Sequence, residues 1–81
     1  MNLKNITNYI NPHKETISIS ENYIHINNYT KIEEINDKKI VIIIKENKII
    51  INGTNFKVIK MIDDEILFYG QINNLEIIKN L

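Results

Sequence analysis

The spacing of apolar positions changes once along the chain, near residue 16. Before that point Leu3, Ile6 and Ile10 recur at helical spacing with Tyr9 beside them, and Asn11-Pro12 follows. The spacing predicts a short helix ended by proline, about two turns long and so dependent on docking. From Thr16 onward the period is two, the side-chain period of a strand. Ile17 and Ile19 alternate with Ser18 and Ser20, and Tyr23-Ile24-His25-Ile26 follows after Glu21-Asn22. Asn27-Asn28 breaks that run, and Ile32 and Ile35 form a weaker segment before Asn36-Asp37. Residues 39–45 read as a strong strand, Glu46-Asn47 as a turn and residues 48–51 as the next strand. Asn52-Gly53 is the best hairpin signal, since both residues tolerate positive φ in a type I′ turn. Residues 54–60 then run back, Asp63-Asp64 turns the chain, and residues 65–69 form a strand that Gly70 interrupts before residues 72–78 close the domain. About eight short strands at this spacing predict an all-β domain, a small antiparallel meander, roll or sandwich.

Turn positions assign the faces. A two-residue loop at Asn52-Gly53 pairs Ile51 with Thr54 and Ile49 with Phe56. One at Glu46-Asn47 pairs Ile44 with Ile49 and Ile42 with Ile51. One face then carries Ile42, Ile44, Ile49, Ile51, Phe56 and Val58, and the other carries Val41, Ile43, Ile50 and Ile59. An antiparallel sheet with one wet face would be polar on that face. Either the chain covers both faces, or Val41, Ile43, Ile50 and Ile59 border a contact with a partner or a second copy. Lys38, Lys39, Lys45, Lys48 and Lys57 guard strand ends and edges without covering a face. Gly53 and Gly70 each follow an apolar strand, 17 positions apart (70 minus 53). That echo makes a β-solenoid the alternative fold. The expected organisation is one domain over residues 1–81, with 1–12 as an N-terminal segment and 13–81 as the β-domain.

Composition sharpens this picture. Ile supplies 21 of the hydrophobic positions, Asn 14 and Lys 10, and Ala is absent. This usage reads as AT-rich coding, and it favours strands and turns over helices. Ten cations balance ten anions. Neutrality removes the simplest electrostatic case for binding nucleic acid or an anionic membrane. Every cation is Lys, so no guanidinium fork is present to grip phosphate. Without Cys there is no disulfide and no thiolate metal site. The longest apolar run covers residues 40–44, far short of the ~18 a spanning helix needs. The first ten residues lack the continuous apolar stretch of a signal peptide, so the expected location is the cytoplasm, with no direct membrane insertion.

Candidate chemistry is sparse. His13 and His25 are the only histidines, and no ligand spacing accompanies them, so neither metal nor cofactor is expected. Asp63-Asp64-Glu65 could hold a cation, but neighbours on an extended chain point to opposite sides, and a turn accounts for the cluster. Ser18 and Ser20 have no recognisable His-acid partner and no nucleophile elbow. Tyr23, Tyr29, Phe56, Phe68 and Tyr69 could stack bases in a small barrel. A nucleic-acid-binding β-barrel is therefore the alternative to a protein-binding domain, and an enzyme ranks last.

Several stretches in order resemble the YabP/YqfC family of sporulation proteins of endospore-forming Firmicutes, and its YqfC branch in particular. They are Thr16-Ile17-Ser18-Ile19, Tyr23-Ile24-His25-Ile26-Asn27-Asn28-Tyr29 and Asn36-Asp37-Lys38-Lys39-Ile40-Val41-Ile42. The most specific is Lys48-Ile49-Ile50-Ile51-Asn52-Gly53-Thr54-Asn55-Phe56-Lys57-Val58, followed by Asp64-Glu65-Ile66-Leu67-Phe68-Tyr69-Gly70-Gln71-Ile72. The likeness covers roughly residues 12–78. It implies a small non-enzymatic protein of the mother cell that works with a membrane protein encoded alongside it. The family brings no catalytic residues to transfer.

Overall fold

A computed structural model describes residues 16–79. The helix predicted before residue 12 and His13 lie outside the described residues. Period-two alternation does give strands throughout. They are β1 (Thr16–Ser20), β2 (Tyr23–Asn27), β3 (Lys31–Ile35), β4 (Lys39–Ile44), β5 (Asn47–Ile62) and β6 (Glu65–Ile78). All neighbouring pairs are antiparallel, in one open sheet of order β1-β2-β6-β5-β4-β3. The all-β antiparallel meander predicted from the pattern is what the chain forms, and it is not a stack of solenoid coils.

The strands number six where about eight were expected, because β5 and β6 are long, at 16 and 14 residues. Asn52-Gly53 is not a hairpin turn. β5 runs through it, Asn52 pairs with Asn74 and Gly53 with Ile72, and Gly53 has no positive φ. Thr54 faces Gln71 across β6 instead of Ile51. Gly70 likewise lies inside β6 and does not interrupt it. Both glycines serve close approach, and neither serves a turn. A Cβ on Gly53 would sit 2.0 Å from the Gln71 carbonyl oxygen, and one on Gly70 would sit 2.3 Å from Cδ1 of Phe56. Opposite Gly70 the β5 register slips between Thr54 and Lys57, and Asn55 takes φ 59°. Asn is one of the few side chains that adopts this region at low cost. Such bulges bend a strand and increase its twist.

That bend folds the sheet over itself. The first part of β5 pairs with β4, while the first part of β6 pairs with β2. Only residues 28–30 connect β2 to β3, which stand four places apart in the strand order. In a flat sheet those strands would stand about 19 Å apart, four spacings of ~4.8 Å. Four Cα steps reach about 14 Å at most. The connector is bonded to both halves: the Asn28 amide donates to the Asp64 carbonyl at 2.8 Å and the Thr30 amide to the Ile43 carbonyl at 2.7 Å. Ile24, Ile26, Ile66 and Phe68 from one half form a single buried cluster with Ile40, Ile42, Ile44, Ile49 and Ile51 from the other. Phe56 closes it at the bend, edge-on to Phe68 with ring centroids 5.4 Å apart.

The β4–β5 loop is Lys45-Glu46, one residue earlier than expected, so Ile44 pairs with Asn47 and Ile42 with Ile49. Moving a two-residue loop by one position shifts the register by two, which leaves each residue on its own face. Ile42, Ile44, Ile49, Ile51 and Phe56 are therefore buried as the pattern predicts, whereas Val58 is exposed.

Candidate interaction surface

Val41 and Ile50 are cross-strand partners on the outer face of β4 and β5, and Ile43 lies opposite Lys48 and Lys31. Three of the four residues predicted to form a contact face are thus neighbours. Ile59 is not among them: it lies past the bend, at a slip in register between Val58 and Lys60. Val41 is not open either, at 6% exposure. Its cover comes from the flanking strands. Lys48 on β5 and Glu33 on β3 form an ion pair at 3.1 Å. Since β4 runs between β3 and β5, that pair spans β4 on its outer side. Lys31, Lys39, Glu33 and Glu34 line the same shallow groove as Val41 and Ile50. Long charged side chains cover apolar surface with their stems while keeping their heads in water. Ile43 and Ile50 remain half-buried.

A second apolar surface was not anticipated as one. Val58, Ile59, Met61 and Ile62 at the end of β5 are 45%, 52%, 49% and 52% exposed. Its signal in the sequence is a run apolar at both parities, Val58-Ile59-Lys60-Met61-Ile62, which no two-sided core accounts for.

On the outer face of the other half, Tyr23 and Tyr69 pair edge to face at 5.0 Å. Phe56 and Phe68 are core residues, so the five aromatics do not form one stacking platform. His25 Nε2 bonds Glu65 Oε2 at 2.5 Å, and Lys60 Nζ lies 3.6 Å from Glu65 Oε1. The bond from His25 leads, ahead of the Lys60 charge, in holding the Glu65 carboxyl below the usual carboxylate range. Ser18 stands opposite His25 in the β1–β2 register but makes no hydrogen bond to the imidazole, so the hydroxyl is not activated. Asp63 and Asp64 form the β5–β6 turn, with Asp63 at φ 51°. The Tyr29 hydroxyl donates to the Asp63 carbonyl at 3.1 Å. Burial, then the Asp64 and Asp63 charges, push the Tyr29 phenol above its ordinary value.

Among the described residues no group of three or more His, Asp or Glu side chains is placed to hold a metal. Nor is any helix among them long and apolar enough to cross a membrane. No family model matches the chain, and no curated protein or solved structure is significantly similar to it.

Proposed function

We propose that this chain acts by binding another protein and not by catalysis. One observation carries the reading. Among the described residues the fold exposes ten large apolar side chains while burying eleven. A domain that leaves nearly as many outside as inside has surface to be covered by a partner. Zero net charge fits a protein partner better than nucleic acid or an anionic bilayer.

The likeness of residues 12–78 to the YabP/YqfC sporulation proteins extends the proposal. The partner is then a membrane protein encoded beside this chain, and the domain works in the cytoplasm of the mother cell, held near the membrane by that partner. The contact assigned on this chain is the outer face at Ile43 and Ile50, which are half-buried and not among those ten, and which open to a partner as the Lys48–Glu33 pair is displaced. Affinity purification of the tagged chain from detergent-solubilised sporulating cells tests this. Recovery of the neighbouring gene's membrane protein by the wild type, and its loss with Ile50→Lys, is the expected result. Equal recovery by both chains refutes the assigned face, and no recovery by either refutes the partner.

A further inference from the structure

β5 leaves β4 after Asn52, and over residues 57–62 its backbone pairs with β6 alone among the described residues. One edge of this stretch is therefore unpaired among the described residues. The sheet's other edges are blunted in recognisable ways. β3 carries Lys31, Glu33 and Glu34 and a slip in register, β1 alternates with serines, and the part of β6 that pairs with β5 but not with β2 includes Asn73, Asn74 and Glu76. Charge and irregularity of this kind discourage pairing with another chain. The β5 edge also carries Lys57, Lys60 and a slip in register at Ile59, but between them it presents Val58, Ile59, Met61 and Ile62, each about half exposed.

This run is complementary to itself. Val58 lies opposite Phe68 and Met61 opposite Ile66, both buried, so Val58 and Met61 share the core side of the sheet. Laid antiparallel on a second copy, Val58 can stand opposite Met61 of that copy, and Met61 opposite its Val58. The apolar layer then continues across a two-fold axis. The charges agree with the same arrangement. Lys57 begins the run and Asp63-Asp64 ends it. Antiparallel pairing sets each cationic end beside the other copy's anionic end, which a parallel arrangement does not.

We propose that two copies of this chain associate through residues 57–62 of β5, paired antiparallel about a two-fold axis between Ile59 and Lys60. The contact is isologous, and it joins two six-stranded sheets into one by β-strand addition. It uses a different surface from the outer face assigned to the membrane partner and does not rest on that assignment. Four half-exposed apolar side chains offer on the order of 300 Å² per copy, well under the ~800 Å² per partner of a standard stable interface. Main-chain bonds between the edges supply the rest, so the dimer is reversible and depends on concentration.

Sedimentation equilibrium of the purified full chain tests this directly. The weight-average mass should rise with concentration from 9.6 kDa towards twice that value. Val58→Lys with Met61→Lys should abolish the rise and leave the circular dichroism unchanged, since both residues are already half in water. Lys57→Glu should weaken association about tenfold, and adding Asp63→Asn and Asp64→Lys in the same chain should recover it, because the two ends then exchange sign together. Three results would overturn the proposal: a wild-type chain monomeric up to millimolar concentration, association that survives the double lysine change, or no recovery on charge exchange. Each is read on purified chain alone, so it stands or falls separately from the membrane-protein purification.

Discussion

Gly53 and Gly70 are required by what lies against them and not by their own torsions. The obstacle at Gly53 is a backbone carbonyl, which cannot rotate away, whereas Gly70 meets the Phe56 ring and, at 3.0 Å, its Cα. Gly53→Ala should therefore cost more than Gly70→Ala, with about 1–3 kcal/mol for the latter and at least as much for the former. Urea midpoints of the two variants check the order, and an unchanged midpoint for Gly53→Ala would mean that the strands do not approach as described. Glu21 poses the opposite case. It holds φ 56° in the exposed β1–β2 turn, where a non-glycine L-residue is strained. Glu21→Asn should stabilise the domain by about 0.5–1 kcal/mol, read as a higher thermal or urea midpoint, since Asn tolerates the left-handed region.

Four of the strands were legible in the sequence because short alternating or continuously apolar runs flanked by Asn, Asp and Glu carry their own turn chemistry. β1, β2, β3 and β4 follow the pattern closely, and Asp63-Asp64 turns the chain as predicted. The pattern divides β5 and β6 each in two. Asn-Gly has the same local appearance whether it turns a hairpin or lets a neighbouring strand come close, and only the partner strand tells the cases apart. The apparent repeat of Gly53 and Gly70 is a single feature: two glycines on paired strands, both against Phe56. The contact face was legible in part. Its parity survives the shifted β4–β5 loop, but the Lys48–Glu33 pair that reaches across β4 beside Val41 has no trace in local spacing.

The pairing of β2 with β6 also has a pH signature. His25 and Lys60 hold Glu65 below its ordinary value. A depressed carboxylate adds stability above its unfolded value and loses it as pH falls through the folded one. Glu65→Gln should accordingly lower the urea midpoint near neutrality, with the gap to wild type closing through the acid end of the carboxylate range. A gap that is constant with pH would mean that the carboxylate charge does not matter.

At the scale of the whole molecule, a sheet bent once encloses a thin Ile-rich core and leaves apolar residues on its outer face and at one edge. The core and the outer face make opposite demands on the same substitution. A lysine in the core would be an unpaired buried charge and would unfold so small a domain. A lysine at a half-buried outer position can extend its ammonium into water. The most direct measurement is circular dichroism with urea titration of Ile43→Lys and Ile50→Lys, beside Ile42→Lys as the core control. Retained β signal in the first two, with midpoints within about 1 kcal/mol of wild type, and loss of structure in the third is the predicted result. Unfolding of Ile43→Lys and Ile50→Lys together with the control would contradict it and assign that face to the core.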